Sequence, residues 1–242
     1  NNEDDDADKA SNPDTSSEEL KILSKSKDEN IRQSVAENPN TDQETLEKLS
    51  NDKDYYVKLS VASNKNCNTE LLSSLAEDEN ENIRSAVAKN INCSSDTLKK
   101  LAEDEDKNVV ESALHNLFTK NENLISDYLD SENDTVLMSI ASFNKTDPEI
   151  LKKLISSDDK NIIKTVIKNP NVEQAIIDTL YESLKNKGEI FETDDAFGSF
   201  MDTLVYSIAS YSSNPKIITE LSTHQSYEIR EALVLNPNTN LD

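Results

Sequence analysis

The chain has 242 residues, of which 48 are acidic and 25 are basic, and its formal charge at pH 7 is −23. Phosphate groups are bound by clustered Lys and Arg, so this charge argues against nucleic acid or anionic lipid as the main partner. No apolar run is long enough to insert into a membrane, and two glycines are too few for the tight hairpins of a β-rich fold. Helices joined by loops that contain Asn and Pro are predicted instead.

The sequence begins with an acidic stretch and then becomes periodic. Residues 1–11 offer almost nothing apolar to bury, which indicates either a solvated acidic tail or a polar N-terminal cap. From residue 12 onwards the sequence repeats every 26 residues, which indicates stacked two-element units that share one continuous core. The leading column of this repeat consists of Leu20, Leu46, Leu72, Leu98 and Leu124.

Each unit is predicted to contain two short helices. In the unit at 20–45, a leucine pair closes the first helix, and Ile31 and Val35 lie on one side of the second. The second helix is expected to end at Asn38, because the residue before a proline disfavours the helical conformation. We expect the asparagines at this position to bond the loop backbone between neighbouring units. They are Asn38, Asn64, Asn90 and Asn116.

The period is interrupted twice. The fifth unit carries one additional residue, and the seventh unit is broken by an insertion at about 181–201. The eighth unit returns to the pattern, and the sequence stops in the middle of a unit at 236–239. Because an array interrupted there leaves an apolar face uncovered, we expect more protein to follow in the natural product.

The phrase Asp-x-x-x-Ile-Arg-x-Ala-Val-Ala-x-Asn, followed by Asn-x-Cys and then Leu-x-x-Leu-Ala-x-Asp, occupies 78–104. With the related stretch at 28–52, it resembles the leucine-rich repeat variant family, and the likeness covers most of 12–171 and then 218–242. The resemblance implies an all-α, right-handed α-solenoid of about eight 26-residue two-helix repeats across residues 12–242, in which the second helix is α or 3₁₀. It also implies a binding scaffold whose motif residues are structural.

One column of the repeat changes its chemistry along the chain. It holds Arg32, Lys58 and Arg84, then four apolar residues, and then Arg230. We expect the cations to be solvated. The apolar stretch indicates either a partner-binding groove or a column that joins the core where the array curves more tightly. The candidate residues are Val110, Leu137, Ile163 and Val205, with Met138 and Tyr206 beside them.

The insertion in the seventh unit contains both glycines of the chain and three of its five phenylalanines. Long insertions in repeat arrays form loops on one face, which is often the binding face. Phe191, Phe197 and Phe200 either pack on the flank of the repeats or bind a partner.

The residues that carry chemistry in other proteins are scattered here. Cys67 and Cys93 lie one period apart, and equivalent positions in packed helices are about 8–10 Å apart, too far for a disulfide. Neither cysteine has a histidine nearby in sequence to complete a zinc site. We expect the recurrent acids between helices to cap helix N-termini, with loose Ca²⁺ binding as the alternative. The sequence therefore predicts no catalytic residue, cofactor or metal.

Three functions follow in order of preference. The first is a non-enzymatic, monomeric scaffold that binds a protein or peptide along one face of the solenoid. The second is a structural spacer in a larger secreted or surface protein, and the third, less favoured, is a helical-repeat enzyme or nucleic-acid binder. The first residue is not Met, so a removed leader is conceivable. A cytoplasmic location is slightly favoured, and a secreted one stays open.

Overall fold

The computed structural model describes residues 2–191 and 203–239, and all regular elements within these ranges are helices. The chain divides into two compact units, 1–121 and 122–242. The first contains α1 (Asn2–Ser11), α2 (Ser17–Leu23), α3 (Glu29–Glu37), α4 (Gln43–Leu49), α5 (Tyr55–Ser63), α6 (Thr69–Leu75), α7 (Glu81–Lys89), α8 (Ser95–Leu101) and α9 (Lys107–Lys120). The second contains the 3₁₀-helix η1 (Glu122–Tyr128), α10 (Asp134–Ser142), α11 (Pro148–Leu154), α12 (Lys160–Lys168), α13 (Gln174–Lys187), α14 (Leu204–Tyr211), α15 (Pro215–Leu221) and α16 (Tyr227–Leu235).

Within each unit one helix of every pair, the longer one except in the pair α13–α14, packs against its counterpart in the next pair. In the first unit this row runs α1, α3, α5, α7 and α9, and in the second unit it runs α10, α12, α14 and α16. The other helices pack on this row. The predicted all-α solenoid of helix pairs is therefore confirmed. Among the described residues, no helix is long and apolar enough to cross a membrane.

Side-chain caps determine where the helices begin. The Asp28 carboxylate accepts the backbone N–H of Asn30 at 2.8 Å, and Asp54 and Asp106 cap α5 and α9 in the same way. A carboxylate in this position satisfies free N–H groups and meets the positive end of the helix dipole. The interpretation of the recurrent acids as caps is confirmed for these residues.

The apolar columns of the repeat form the core. In the leading column, Leu20, Leu46, Leu72 and Leu98 are fully buried, as is Leu151 in the following unit, whereas Leu124 on η1 is only half-buried. Helices of seven to nine residues are marginal on their own in water, so this packing supplies most of their stability. The core of the array is therefore narrow and continuous within each unit.

The asparagine column joins each repeat to the one before it. The Asn64 side-chain amide donates to the carbonyl oxygens of Ala36 at 2.7 Å and Asn38 at 3.1 Å, and its own oxygen accepts the N–H of Asn66 at 2.8 Å. These atoms are buried, so the amide satisfies two backbone carbonyls that water cannot reach. The same pair of donated bonds is made by Asn38, Asn90, Asn116 and Asn169.

A second contact between repeats is an ion pair whose two residues are 20 positions apart in the sequence. The Arg84 guanidinium donates to both oxygens of Asp104, at 2.7 and 2.9 Å, and also to the backbone oxygen of Asp78 at 3.0 Å. Arg32 and Asp52 form the same pair at 2.7 and 3.0 Å. The expectation that these cations are solvated is wrong for Arg32, which is 7% exposed. The partner carboxylate and two loop carbonyls replace its water.

Replacing Asn64 with alanine tests the asparagine contact. The N64A variant leaves two buried carbonyls and one N–H without their partner, so we expect the free energy of unfolding to fall by about 3 kcal/mol. Urea denaturation followed by circular dichroism measures this loss. Asn51→Ala, at an exposed position, is the matched control and should cost less than about 0.5 kcal/mol. Similar losses in both variants would contradict the structural role of Asn64.

Replacing Asp104 with asparagine tests the ion pair. The D104N variant leaves the Arg84 charge uncompensated in a poorly solvated site, and we expect it to lower the free energy of unfolding by about 2 kcal/mol at pH 7. The hydrogen bond from Arg84 is the main reason why the pKa of Asp104 is held below its ordinary value.

This pKa shift determines the pH dependence. In the unfolded chain Asp104 has an ordinary pKa of about 3.9, so its stabilising contribution is complete above that pH. The contribution is lost as the pH falls through the lower pKa of the folded state. The stability difference between wild type and D104N should therefore shrink below about pH 4. Glu103→Gln, at the neighbouring exposed position, should show no such difference; a pH-independent gap for D104N would exclude the ion pair as its cause.

Candidate interaction surface

The structure separates the apolar residues of the variable column into buried and accessible members. Val110 in the first unit is 1% exposed, and in the second unit Ile163 and Val205 are 7% and 2% exposed. Ile163 and Val205 belong to the same core cluster as Ile208. These three side chains are therefore not available at the surface, because they fill the interior of their units. Leu137, which is half-buried, is the accessible member.

Leu137 lines an open cavity of ≈ 600 Å³ in the second unit. The cavity lies between η1, α10 and α11, and its apolar lining comes from Leu129, Leu137, Ile150 and Leu154. Asp130, Lys153 and three serines complete the wall. We call this feature the Leu137 depression. Its lining thus mixes four apolar side chains with polar and charged ones, as in sites that combine an apolar contact with hydrogen bonds to a partner.

The depression occupies the slot that the ion pair fills in the first unit. Leu137 precedes Ser157 by 20 residues, as Arg32 precedes Asp52, and both Leu137 and Ser157 line the cavity. Leucine is shorter than arginine, and serine is shorter than aspartate. The replacement of both partners therefore removes the atoms that close this slot between consecutive short helices.

The two residues next to the column are partly accessible. Met138 on α10 is half-buried. Tyr206 on α14 is also half-buried and packs against the core cluster of the second unit. Each leaves part of its side chain at the surface of the row formed by α10, α12, α14 and α16.

A groove in the first unit was not anticipated from the sequence. It has a volume of ≈ 380 Å³ and lies between α5 and α7, with Tyr55 and Leu59 on one wall and Ala86 and Lys89 on the other. The rings of Tyr55 and Tyr56 meet edge to face at 4.9 Å, and Tyr56 is 59% exposed. The signal in the sequence is that two tyrosines stand where the neighbouring repeats have Glu and Asn.

The start of the insertion packs on the protein itself. Helix α13 continues to Lys187 and ends at Gly188, which adopts φ 79°. Phe191 is 59% exposed and stacks on His224 with ring centroids 5.0 Å apart. The carbonyl of Ile190, whose side chain is in the core, lies 3.0 Å from His224 Nε2. The two other aromatic candidates, Phe197 and Phe200, lie outside the described residues.

The two cysteines, the residues most able to act as nucleophiles or metal ligands, are held in unreactive states. Cys67 and Cys93 form no disulfide, as predicted, and both are fully buried. Burial raises their thiol pKa values to about 12 and about 11. Thiols with such pKa values are protonated at neutral pH and are poor nucleophiles and metal ligands. Within the described ranges, no group of His, Cys, Asp and Glu is arranged to hold a metal ion.

Comparisons with known proteins agree with this architecture. A sequence profile described as "Leucine rich repeat variant" matches residues 29–54. The chain is similar to a solved structure described as "a leucine-rich repeat variant with a novel repetitive protein structural motif", with 21% identity and a TM-score of 0.52. That match covers 81% of this chain and 71% of the other. A crystal structure of an engineered protein aligns over 96% of this chain and 82% of its own, with 16% identity and a TM-score of 0.35.

No curated protein sequence matches the chain significantly. The sequence likeness is confined to one repeat, and the structural likeness extends over most of the chain. Together they confirm, in sequence motif and in fold, the resemblance of this chain to the leucine-rich repeat variant family.

Proposed function

We propose that this protein is a non-enzymatic scaffold that binds a protein or peptide, and that the Leu137 depression receives an apolar side chain of the partner. The observation that carries this proposal is the open slot at Leu137, where the first unit has a closed ion pair. Proteins rarely leave apolar surface open in a concave site unless it binds something. Met138 on the same helix adds accessible apolar surface.

The charge of the chain supports a basic partner segment. A formal charge of −23 attracts cationic peptides and speeds their encounter with the scaffold. The wall of the depression holds one carboxylate, Asp130, and one ammonium group, Lys153, so the preference for a basic segment comes from the charge of the whole chain. The expected ligand is therefore an extended peptide with one large apolar residue flanked by Lys or Arg.

The state of the potentially reactive residues disfavours a catalytic role. The two thiols are protonated in the core, and His224 is buried against the Ile190 carbonyl. The repeated residues are engaged in contacts between repeats, such as the Asn64 amide and the Arg84–Asp104 pair. The contacts recur with the same geometry from repeat to repeat, which also suits a structural spacer. A spacer is the function that remains if no ligand binds.

Restoring the ion pair at the depression tests the proposal without disturbing the fold. The double variant Leu137→Arg with Ser157→Asp rebuilds the pair that Arg32 and Asp52 form and fills the slot. Peptides are first selected from a displayed library on the immobilised wild-type chain. We expect them to contain a basic and apolar motif, and to bind the double variant at least about tenfold more weakly by calorimetry, because the apolar anchor has lost its site.

A matched double variant controls for the new charges. Ile91→Arg with Ser95→Asp introduces the same two residues at exposed positions of the first unit, and it should bind the selected peptides like wild type. Circular dichroism and urea denaturation verify that both variants fold. Selection of no peptide, or equal affinity for wild type and Leu137→Arg with Ser157→Asp, would contradict the proposal and leave the spacer function.

A further inference from the structure

One column of the repeat is buried everywhere except on α16. Its members in the C-terminal half of each row helix are small or apolar, and where another row helix follows in the same unit they lie against it. Eight of them are at most 1% exposed, namely Ala10, Ala36, Ala62, Ala88, Leu114, Ala141, Ile167 and Ala209. The ninth member, Val234, is 60% exposed.

The residues beside Val234 enlarge this exposed apolar surface. Leu235 is 71% exposed and Tyr227, one helix length earlier, is 67% exposed. The position of Leu235 is polar in the preceding repeats, as in Glu37 and Ser63. α16 thus presents a larger apolar surface than its repeat position requires.

Helix α1, at the edge of the first unit, has the opposite character. Its sequence is NEDDDADKAS, and Ala10 packs in the core while Asp4, Asp5 and Asp8 are exposed. Edge repeats of an array remain soluble when their outer face is polar in this way.

The exposed surface of α16 holds an exposed carboxylate, Glu231, to which the Tyr227 hydroxyl donates at 3.4 Å, beside the apolar side chains of Val234 and Leu235. It is less polar than that of α1 and has more of the character of an interface than of a cap.

The contacts inside the array specify what fits on α16. α14 is covered by α16, and the Asn236 side-chain amide donates to the carbonyls of Ala209 at 2.9 Å and Ser212 at 2.8 Å. The carbonyls of Val234 and Asn236 have the same positions on α16 as those of Ala36 and Asn38 on α3, which accept the Asn64 amide. The exposed surface of α16 therefore has the same type of backbone acceptors as the interface that joins successive repeats.

We propose that the α16 face formed by Tyr227, Val234 and Leu235 docks a further helical repeat of the same 26-residue kind. The docked helix lays its apolar stripe over Val234, and its terminal asparagine donates to the carbonyls of Val234 and Asn236. This inference rests on the geometry between repeats and is independent of the proposed function at the Leu137 depression.

An extended chain tests the docking. In this variant, residues 42–68 of the chain's own sequence follow Thr239 directly, because 236–239 (Asn-Pro-Asn-Thr) align with 38–41. We expect the amides of α16 to exchange with deuterium at least about tenfold more slowly than in the unextended chain, since docking suppresses local opening. The melting temperature should rise by about 2 °C or more.

Val234→Asp provides the discriminating variant. In the unextended chain it should leave the melting temperature nearly unchanged, because the side chain is mostly exposed. In the extended chain it should abolish the gain in exchange protection. Ile91→Asp, at a loop position that is 72% exposed, should preserve that gain.

Two results would overturn the proposal. The first is an extension that gives no protection, or whose protection survives Val234→Asp. The second is an unextended chain that sediments as a dimer and becomes a monomer with Val234→Asp. A second copy would then be the occupant of the α16 face.

Discussion

The structure depends on one interaction, the bond from an asparagine side-chain amide to two backbone carbonyls of the preceding repeat. Asn64 reaches residues 28 and 26 positions earlier, and Asn90, Asn116 and Asn169 keep the same separations. Because donor and acceptor are both buried, a change of spacing leaves unpaired polar groups. After the insertion, Asn236 bonds residues 27 and 24 positions earlier. The contact is retained with a new register.

The ion pair is a second and more replaceable contact. The cationic column forms it as Arg32–Asp52 and Arg84–Asp104, whereas Val110, Ile163 and Val205 fill the corresponding interior with apolar side chains. Buried ion pairs and apolar residues of similar volume are often interchangeable in stability. Such a slot can therefore change its chemistry without loss of the array. At Leu137 the replacement is too small to fill it, and the Leu137 depression results.

The period of the sequence was sufficient to predict the helix pairs, the leucine core and the asparagine contacts, since each depends on residues one repeat apart. The ion pairs were not predicted, because Arg84 and Asp104 are separated by 20 residues, which is neither a helical spacing nor a full period. The apolar column was identified from the sequence, but residue type does not distinguish the buried Val205 from the half-buried Leu137. That difference depends on the side-chain volume around each residue.

The asparagine contact also explains why surfaces can diverge along this array. Its acceptors are backbone carbonyls, so the side chain at an acceptor position is constrained only by packing. Ala36 and Leu114 both occupy the same buried column, although they differ in volume. On the exposed side of α16, no neighbouring helix among the described residues limits the volume of the side chain at this position. An alanine there would expose less apolar surface to water than Val234 does. The exposed Val234 at this position is the feature that the proposed docking of a further repeat accounts for.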